Sequence, residues 1–589
     1  MKRWLFAMTL GLLFLAPLKF SMPVNLQALG TPPSTLIEWF YWSWPNQLGV
    51  MAGAVLFFLL ALDREPLPRW NLPGVLPALF LATQAVAMWG TICWQTSVDT
   101  VLHFSLCVAV FYAAARCARE KQWTDGLLGA LAAATLLVCV VALEQQFGGL
   151  AATRRYAAAY LDASQLSEEM RAKLTSNRVF GTLVYPNALA GYLAVAFAPV
   201  LTWLWSRAQG IVTKIAAVTV GGGILLACLV FSGSRGGFVA VAISGLVWLA
   251  CSRSEKKRWV WGSVALVALT AVVAVALKGG WTHLGRSSME ARMDYWGGAV
   301  RIIRDYPLLG TGPGTFGSIY MKYKTAMTEE AQLAHNNFLQ MWSDSGVMAF
   351  VVFVALWGVG LWEAVRWARQ RGDMVGAALA AALTGWTVHG LVDFDLYVPG
   401  IAVPAFGLLG IVQGTKTSNE LPCARRGGGV AWRIRLVITG IMMVTVLWFE
   451  GRMIMAANAY GELQAIPEMD KERQLHTAAT ACRYAPLNPH YWSALGDVAF
   501  RMKDAQLAIE CYQRAAELDP MRSSRHARLA RAYRKIGQRE LAMAAFRRAM
   551  TLNPTEPAYP RELKSLAEES VRQGQDGLIE SPPAFGEKN

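Results

Sequence analysis

The chain has 589 residues, of which 54% are hydrophobic and only 16% are charged. About a quarter of the residues in a soluble protein are charged, so this composition excludes an ordinary soluble enzyme. The formal net charge of +15 does not indicate a nucleic-acid partner, because the basic residues gather in alternate short loops between apolar runs. That distribution is typical of membrane topology.

Apolar runs of roughly 17–25 residues, long enough to cross a bilayer as helices, recur before Glu450. They predict an all-α, polytopic membrane domain over residues 1–450 with about 12–13 spans. The candidate spans are residues 4–18, 47–62, 73–92, 101–118, 126–147, 188–206, 213–231, 237–251, 259–277, 338–362, 376–391, 399–413 and 432–449. The positive-inside rule assigns the basic loops and the N-terminus to the cytoplasm. The polar segment 279–336 and the chain after Glu450 are then external.

The chain after residue 450 is charged, rich in alanine and repetitive. Leu495, Ala508, Tyr512, Ala515 and Pro520 recur 34 positions later as Leu529, Ala542, Phe546, Ala549 and Pro554. This period predicts a tetratricopeptide α-solenoid over residues 451–572, with clear repeats at about 487–520 and 521–554. A third, divergent pair is expected at about 458–485 and a flexible tail at 573–589. The domain is either a docking surface for a protein partner or an appendage without a ligand.

Polar side chains that could carry chemistry lie in four segments that topology assigns to the external side. These segments contain Arg178 before the sixth run, Arg235 in a tight turn, Arg292 and His335 in segment 279–336, and His389 and Asp393 at the end of the eleventh run. An ionisable group near hydrocarbon is costly and usually pairs or binds something. The four segments therefore predict one external site.

The three arginines are candidates for binding a diphosphate. A guanidinium matches phosphate oxygens with two hydrogen bonds and keeps its charge. Arg235 could act as such a clamp, completed by Arg178 and Arg292 from separate segments. The alternative for each arginine is a structural role at the membrane surface.

The histidines suggest acid–base chemistry. Imidazole can accept a proton from a sugar hydroxyl near neutral pH, which makes His335 a candidate catalytic residue. The alternative is a polar cap at the start of a helix, where Asn336 follows it. His389 and Asp393 lie one helical turn apart and could pair on one face, in a supporting or structural role.

Gly312, Gly314 and Gly317 formally satisfy the dinucleotide-binding pattern G-x-G-x-x-G. No strand or βαβ unit surrounds them, so we reject a nucleotide site. The sequence also contains no Walker motif, paired metal-ligand spacing or nucleophile elbow. The reaction is expected to need no metal and no cofactor, and to draw its energy from an activated substrate.

Four groups of residues in this order resemble the O-antigen ligase/polymerase superfamily over about residues 160–415. They are Arg178, Gly181, Pro186, Asn187 and Gly191; Ser232 to Arg235; Pro307, Gly310, Gly312 and Phe316; and His335, Asn336, Leu339 and Gly346. The spacing from His335 to Gly346 is similar to a pattern in O-antigen ligases.

The resemblance implies a glycosyltransferase in the bacterial inner membrane. Such enzymes move a glycan, with inversion and without a metal, from an undecaprenyl-diphosphate carrier to an acceptor hydroxyl or amide. By this resemblance Arg235 and Arg292 would hold the diphosphate, and His335 would position or deprotonate the acceptor. Arg178 is expected to assist the diphosphate site, with Asn336, His389 and Asp393 as supporting residues.

The sequence is compatible with several functions. The acceptor could be lipid A-core in lipopolysaccharide, a growing polysaccharide or a protein hydroxyl. A lipid-linked glycan flippase or transporter is an alternative, although it predicts ionisable residues in mid-span and an internal helix repeat. A non-catalytic, membrane-anchored tetratricopeptide scaffold is the third possibility.

Overall fold

The computed structural model describes residues 1–24, 42–63, 72–151, 176–183, 185–252, 285–325, 330–417 and 429–576. All regular secondary structure in these ranges is helical, and they contain no strand. Seven of their helices are long and apolar enough to cross a membrane, and four shorter apolar helices accompany them. The all-α, multi-span fold class is confirmed.

The helices follow the predicted spans closely. The membrane-domain helices are α1 (Lys2–Lys19), α2 (Asn46–Leu62), α3 (Leu72–Ala87), α4 (Trp94–Cys117), α5 (Lys121–Glu144), α6 (Pro186–Arg207), α7 (Ile211–Ser232), α8 (Arg235–Cys251), α9 (Gly285–Asp305), α10 (Phe316–Tyr323), α11 (Asn337–Arg371), α12 (Met374–His389), α13 (Pro399–Thr417) and α14 (Val430–Ala465). All of them except α9 and α10 coincide with a predicted span. The predicted span 259–277 lies outside the described residues.

Small residues let the central helices approach each other closely. A Cβ at Gly410 of α13 would lie 2.3 Å from the carbonyl oxygen of Phe111 on α4, and one at Gly414 would lie 2.1 Å from that of Ala115. Close backbone approach of this kind is typical of helix packing in membranes. These close contacts fix the positions of the central helices relative to one another. They thereby also fix the positions of the helix ends that carry the polar segments.

The two ends of the bundle differ in character. At one end Arg116 on α4 forms a buried ion pair with Asp63 after α2, at 2.8 Å, and Arg207 at the end of α6 contacts Asp125 on α5. The opposite end carries the starts of α6, α8 and α11 and the end of α12, where the candidate site residues lie. Basic connections and candidate site thus occupy opposite ends.

The described residues of the predicted external loop 279–336 contain two helices, α9 and α10. The amphipathic helix α9 buries Tyr295, Ala299 and Ile302, which recur at spacings of four and three residues. These side chains pack with Phe316 and Tyr320 of α10 in a small separate cluster. Residues 285–325 and 330–336 therefore form a folded cap over this end of the bundle.

The C-terminal helices form stacked pairs, as the repeat predicts. They are α15 (Lys471–Tyr484), α16 (Pro489–Arg501), α17 (Ala505–Leu518), α18 (Ser523–Lys535), α19 (Arg539–Leu552) and α20 (Ala558–Asp576). Within the first repeat, a Cβ at Gly496 would lie 2.6 Å from the ring of Tyr512, which explains the small residue there. The predicted boundary at residue 450 falls inside the continuous helix α14.

The repeat domain contacts the folded cap. The Arg522 guanidinium donates from Nη2 to Oε1 of Gln332 at 3.1 Å, and Met521 packs against the cluster around Tyr320. Gln332 lies three residues before His335. The repeats are therefore on the same side of the bundle as the candidate site.

Candidate functional site

The turn that follows α12 is the centre of the site. His389 ends α12, and its Nδ1 lies 2.9 Å and 2.8 Å from the two carboxylate oxygens of Asp395. Both side chains are almost fully buried. A Cβ at Gly191 of α6 would lie 2.5 Å from Asp395 Oδ1, so only glycine allows α6 to pack against this pair.

The pairing of His389 with Asp393, which a helical spacing would allow, is not the one that forms. The helix ends at His389, and the chain then turns so that Asp395 returns to the imidazole. Asp393 points instead toward His335, whose Nδ1 lies 3.3 Å from its Oδ1, and toward Arg292, whose Nη2 lies 3.8 Å from its Oδ2. A turn residue therefore joins the two candidate catalytic residues.

The electrostatics of Asp393 follow from these neighbours. Burial by itself would raise the pKa of this carboxyl. The contact with His335 and its charge, then the charges of His389 and Arg292, outweigh burial and hold the pKa of Asp393 well below its usual range. Asp393 is consequently an anion at neutral pH, even though it is buried.

His335 is held in an unusual backbone conformation. Its φ of +51° lies in the left-handed region, which non-glycine residues adopt mainly where the surroundings impose it. The indole Nε1 of Trp296 donates to its carbonyl oxygen at 3.3 Å. Its ring stacks on Tyr295, with centroids 5.5 Å apart, and meets the edge of Phe394 at 4.6 Å. Because Nδ1 faces Asp393, Nε2 is the ring nitrogen directed away from that contact.

Asn336 and Asn337 fasten the start of α11 to the central turn. The Asn336 side-chain oxygen caps α11 by accepting from the amides of Phe338 and Leu339, both at 3.0 Å. Its amide nitrogen donates to the Leu391 carbonyl at 2.9 Å. Asn337, which sequence reasoning missed, donates its backbone N–H to the Gly390 carbonyl at 2.7 Å.

Arg292 reaches the central turn from α9. Its Nε donates to the Val392 carbonyl oxygen at 2.9 Å, beside the contact with Asp393. The side chain is 15% exposed, so it is mostly enclosed between α9 and the turn. The guanidinium is thus oriented by backbone and carboxylate together, at the rim of the cap.

Arg178 anchors the turn between α7 and α8. Its Nε donates to the Ser232 carbonyl oxygen at 2.7 Å and its Nη2 to Oδ1 of Asn187 at 2.7 Å. Burial lowers the pKa of Arg178, the charge of Arg292 lowers it further, and Asp393 opposes them. Two arginine charges therefore act on each other beside one carboxylate, an arrangement that favours an anionic ligand.

Arg235 starts helix α8 at the edge of the same site. Ser234 caps this helix by accepting from the Gly237 amide at 3.3 Å, and the Arg235 side chain is exposed. A Cβ at Gly236 would lie 2.7 Å from Cγ2 of Val392, so the chain next to Arg235 packs on the central turn.

The predicted site residues thus meet at one end of the bundle, but with unequal contacts. Asp393 contacts both Arg292 and His335. Asp395 and Tyr295 were missed. Asp395 lies only two residues beyond Asp393, yet a turn, unlike a helix, gives no periodicity from which its pairing could be inferred.

Comparison with protein-family models finds similarity in two parts of the chain. Residues 220–354 match the model described as O-antigen ligase. This part of the chain is therefore similar to O-antigen ligases. Residues 489–521 and 524–556 each match a tetratricopeptide repeat, which confirms the predicted repeats. Comparison with curated proteins finds no match.

The matched ligase region covers part of the site. It includes Arg235, Arg292 and His335, and it ends before His389 and Asp393. The O-antigen ligase family supports a membrane enzyme of the glycosyltransferase type. The central turn that unites these residues is contributed by chain beyond the matched region.

Proposed function

We propose that this protein transfers a glycan from a polyprenyl-diphosphate carrier to an acceptor at the external face of the bacterial inner membrane. The observation that carries the proposal is the contact of one carboxylate, Asp393, with both His335 and Arg292. An oriented imidazole beside a guanidinium supplies a base for the acceptor and a counter-charge for the leaving group. The O-antigen ligase match supports the reaction class.

His335 is proposed to take the proton from the acceptor. With Nδ1 directed to Asp393, Nε2 accepts the acceptor's O–H proton while the oxygen attacks the anomeric carbon. Asp393 keeps the imidazole in that tautomer and stabilises the imidazolium that forms, as a carboxylate does for a general-base histidine in other enzymes. The bond between anomeric carbon and diphosphate oxygen breaks, and the carrier diphosphate leaves with the electron pair.

The arginines are proposed to stabilise the departing diphosphate. Charge develops on its oxygens in the transition state, where a fixed guanidinium lowers the barrier. Arg292, whose orientation is set by the Val392 carbonyl and Asp393, is the best-placed donor. Arg235 is exposed at the edge and suits the outer phosphate, whereas Arg178 contributes its charge while anchoring the neighbouring turn.

The external location of the site rests on charge distribution. The basic residues Arg116 and Arg207 lie at the end of the bundle opposite the site. The positive-inside rule assigns that end to the cytoplasm. The site, the folded cap and the tetratricopeptide repeats then face the periplasm, where lipid A-core, a growing polysaccharide or a protein could be the acceptor.

The test is transfer by the purified full-length protein in proteoliposomes. A polyprenyl-diphosphate-linked oligosaccharide is supplied with each acceptor class in turn, and the glycosylated product identifies the acceptor. We expect transfer to be abolished in His335→Ala and Arg235→Ala at unchanged protein abundance. Retained transfer in both variants would remove the basis for this site.

Two control variants distinguish a loss of catalysis from a loss of folding. His476→Ala changes an exposed histidine in the repeat domain, and Arg304→Ala changes an exposed arginine on α9, the helix that carries Arg292. Both should transfer at the wild-type rate. Loss of transfer in these controls would mean that the assay reports folding.

A further inference from the structure

A second buried polar cluster lies beneath the site, inside the outer part of α11. Asp344 is fully buried, as are Gln340 and Tyr397. A carboxyl at this depth in a membrane helix is costly and is retained for a reason. The mechanism proposed above uses none of these three side chains.

Three donors converge on a single oxygen of Asp344. Its Oδ2 accepts from the Gln340 amide at 2.7 Å, from the Tyr397 hydroxyl at 3.0 Å and from the Gly314 backbone N–H at 3.0 Å. The other oxygen, Oδ1, makes no hydrogen bond within the described ranges. One atom therefore ties together three segments that are distant in sequence.

Each of these segments leads to the candidate site. The oxygen of the Gln340 amide accepts from the backbone N–H of Ala334, the residue immediately before His335. Tyr397 ends the short helical turn that begins with Asp395, the partner of His389. The network thus ends at the residue next to His335 and in the turn that carries the partner of His389.

The third segment is the glycine run of the cap. Gly312 donates its N–H to the Asp344 carbonyl oxygen at 2.8 Å, and Gly314 donates to the carboxylate of the same residue. The run leads directly into α10, which packs with Tyr295, the residue that stacks on His335. Backbone and side chain of Asp344 therefore both hold this part of the cap against α11.

We propose that Asp344 is a positioning residue, which holds His335 in its left-handed conformation by fixing Gln340, the glycine run and the turn at Tyr397. This inference rests on the proposed function, because it assigns the network to the placement of that reaction's base. A displacement of about 1 Å of a catalytic group can cost on the order of 10²-fold in rate.

The geometry predicts different results for two substitutions of Asp344. Because all three donors meet at Oδ2, Asp344→Asn can place its amide oxygen there and its NH2 group at the position of Oδ1. That variant can keep the three hydrogen bonds at this oxygen while removing the acidic group. Asp344→Ala loses the contacts as well. Positioning predicts that asparagine rescues activity, whereas a role in proton transfer predicts that it does not.

The experiment measures kcat and donor KM for full-length variants in proteoliposomes. We expect Asp344→Ala to lower kcat by about 10²-fold at unchanged donor KM, and Asp344→Asn to stay close to the wild type. Wild-type kcat in Asp344→Ala, or equal loss in both variants, overturns the inference. Glu468→Ala, which removes an exposed carboxylate from the turn before α15, serves as the control.

A measurement that does not depend on catalysis tests the positioning role separately from the proposed function. Deuterium exchange of the peptide containing Ala334 is followed in nanodiscs, where we expect faster exchange in Asp344→Ala and in Gln340→Met, but not in Asp344→Asn. Gln340→Met also replaces Asp344→Ala if the latter does not fold. Unchanged exchange overturns the positioning role, whereas absent transfer in the wild type overturns only the proposed function.

Discussion

Replacing Gly346 with alanine tests the helix break that supports the cap. Gly346 has φ 77° and ψ 178° inside α11, a conformation that is essentially restricted to glycine. A Cβ there would lie 2.0 Å from the Leu308 carbonyl oxygen, 2.4 Å from its carbon and 2.7 Å from the Leu309 nitrogen. All three are backbone atoms, so no side-chain rotation can relieve the contact.

The expected cost combines two terms. Backbone strain contributes about 1–3 kcal/mol, and displacing a packed segment contributes about 1–3 kcal/mol more. Gly358→Ala is the matched control, because Gly358 lies on the same helix and a Cβ added there would meet no atom within 4 Å. Alanine is a better helix former than glycine by about 1 kcal/mol, so this control should be neutral or stabilising.

Thermal unfolding of both variants in the same detergent measures the difference. We expect Gly346→Ala to melt several degrees below the wild type and Gly358→Ala to melt at or above it. Transfer should fall in Gly346→Ala, because the backbone of Pro307, which accepts from the Val347 amide at 3.0 Å, would be displaced. Equal melting temperatures for the two variants would refute the reasoning.

Three other substitutions test separate contacts of the site. Asp393→Asn removes the anion that faces His335, so transfer should fall by about 10²-fold or more in proteoliposomes; a wild-type rate would contradict its role. Arg292→Lys keeps the positive charge but loses the planar guanidinium and its hydrogen bond to the Val392 carbonyl oxygen, so transfer should also fall. Full activity in this variant would show that the charge alone is sufficient. Arg522→Ala removes a charge-assisted hydrogen bond to Gln332 worth about 1.5–3 kcal/mol, together with an ion pair to Asp519 inside the repeat domain. Deuterium exchange around Gln332 should therefore quicken, and unchanged exchange would show that the contact does not hold the cap.

The membrane helices and repeats could be predicted from sequence because their signals are local. Length and hydropathy identify a span, and a 34-residue period identifies tetratricopeptide units without knowledge of their neighbours. The alternation of basic loops also groups Arg178, Arg235, Arg292 and His335 on one side. These properties depend on chain order and composition, which the sequence contains directly.

The details of the site could not be predicted in the same way. The segment 279–336 has a polar composition, which conceals the helical spacing of Tyr295, Ala299 and Ile302 in α9. The partner of His389 depends on the path of a turn, for which sequence offers no period. Asp344 did offer a signal, since it is a single carboxylate within the apolar run 338–362.

The spacing between His335 and Gly346 acquires a physical explanation from α11. Asn336 caps the helix at one end of this interval, and Gly346 breaks it at the other. Gln340 and Asp344 lie four residues apart on one face between them, and they bind the segment before His335 and the glycine run respectively. The interval is thus a helical segment of about three turns, at 3.6 residues per turn. Inserting or deleting one residue between Gln340 and Asp344 would rotate Asp344 by about 100° around the helix axis relative to Gln340. The length of this segment, as well as the residues at its two ends, therefore sets the position of His335.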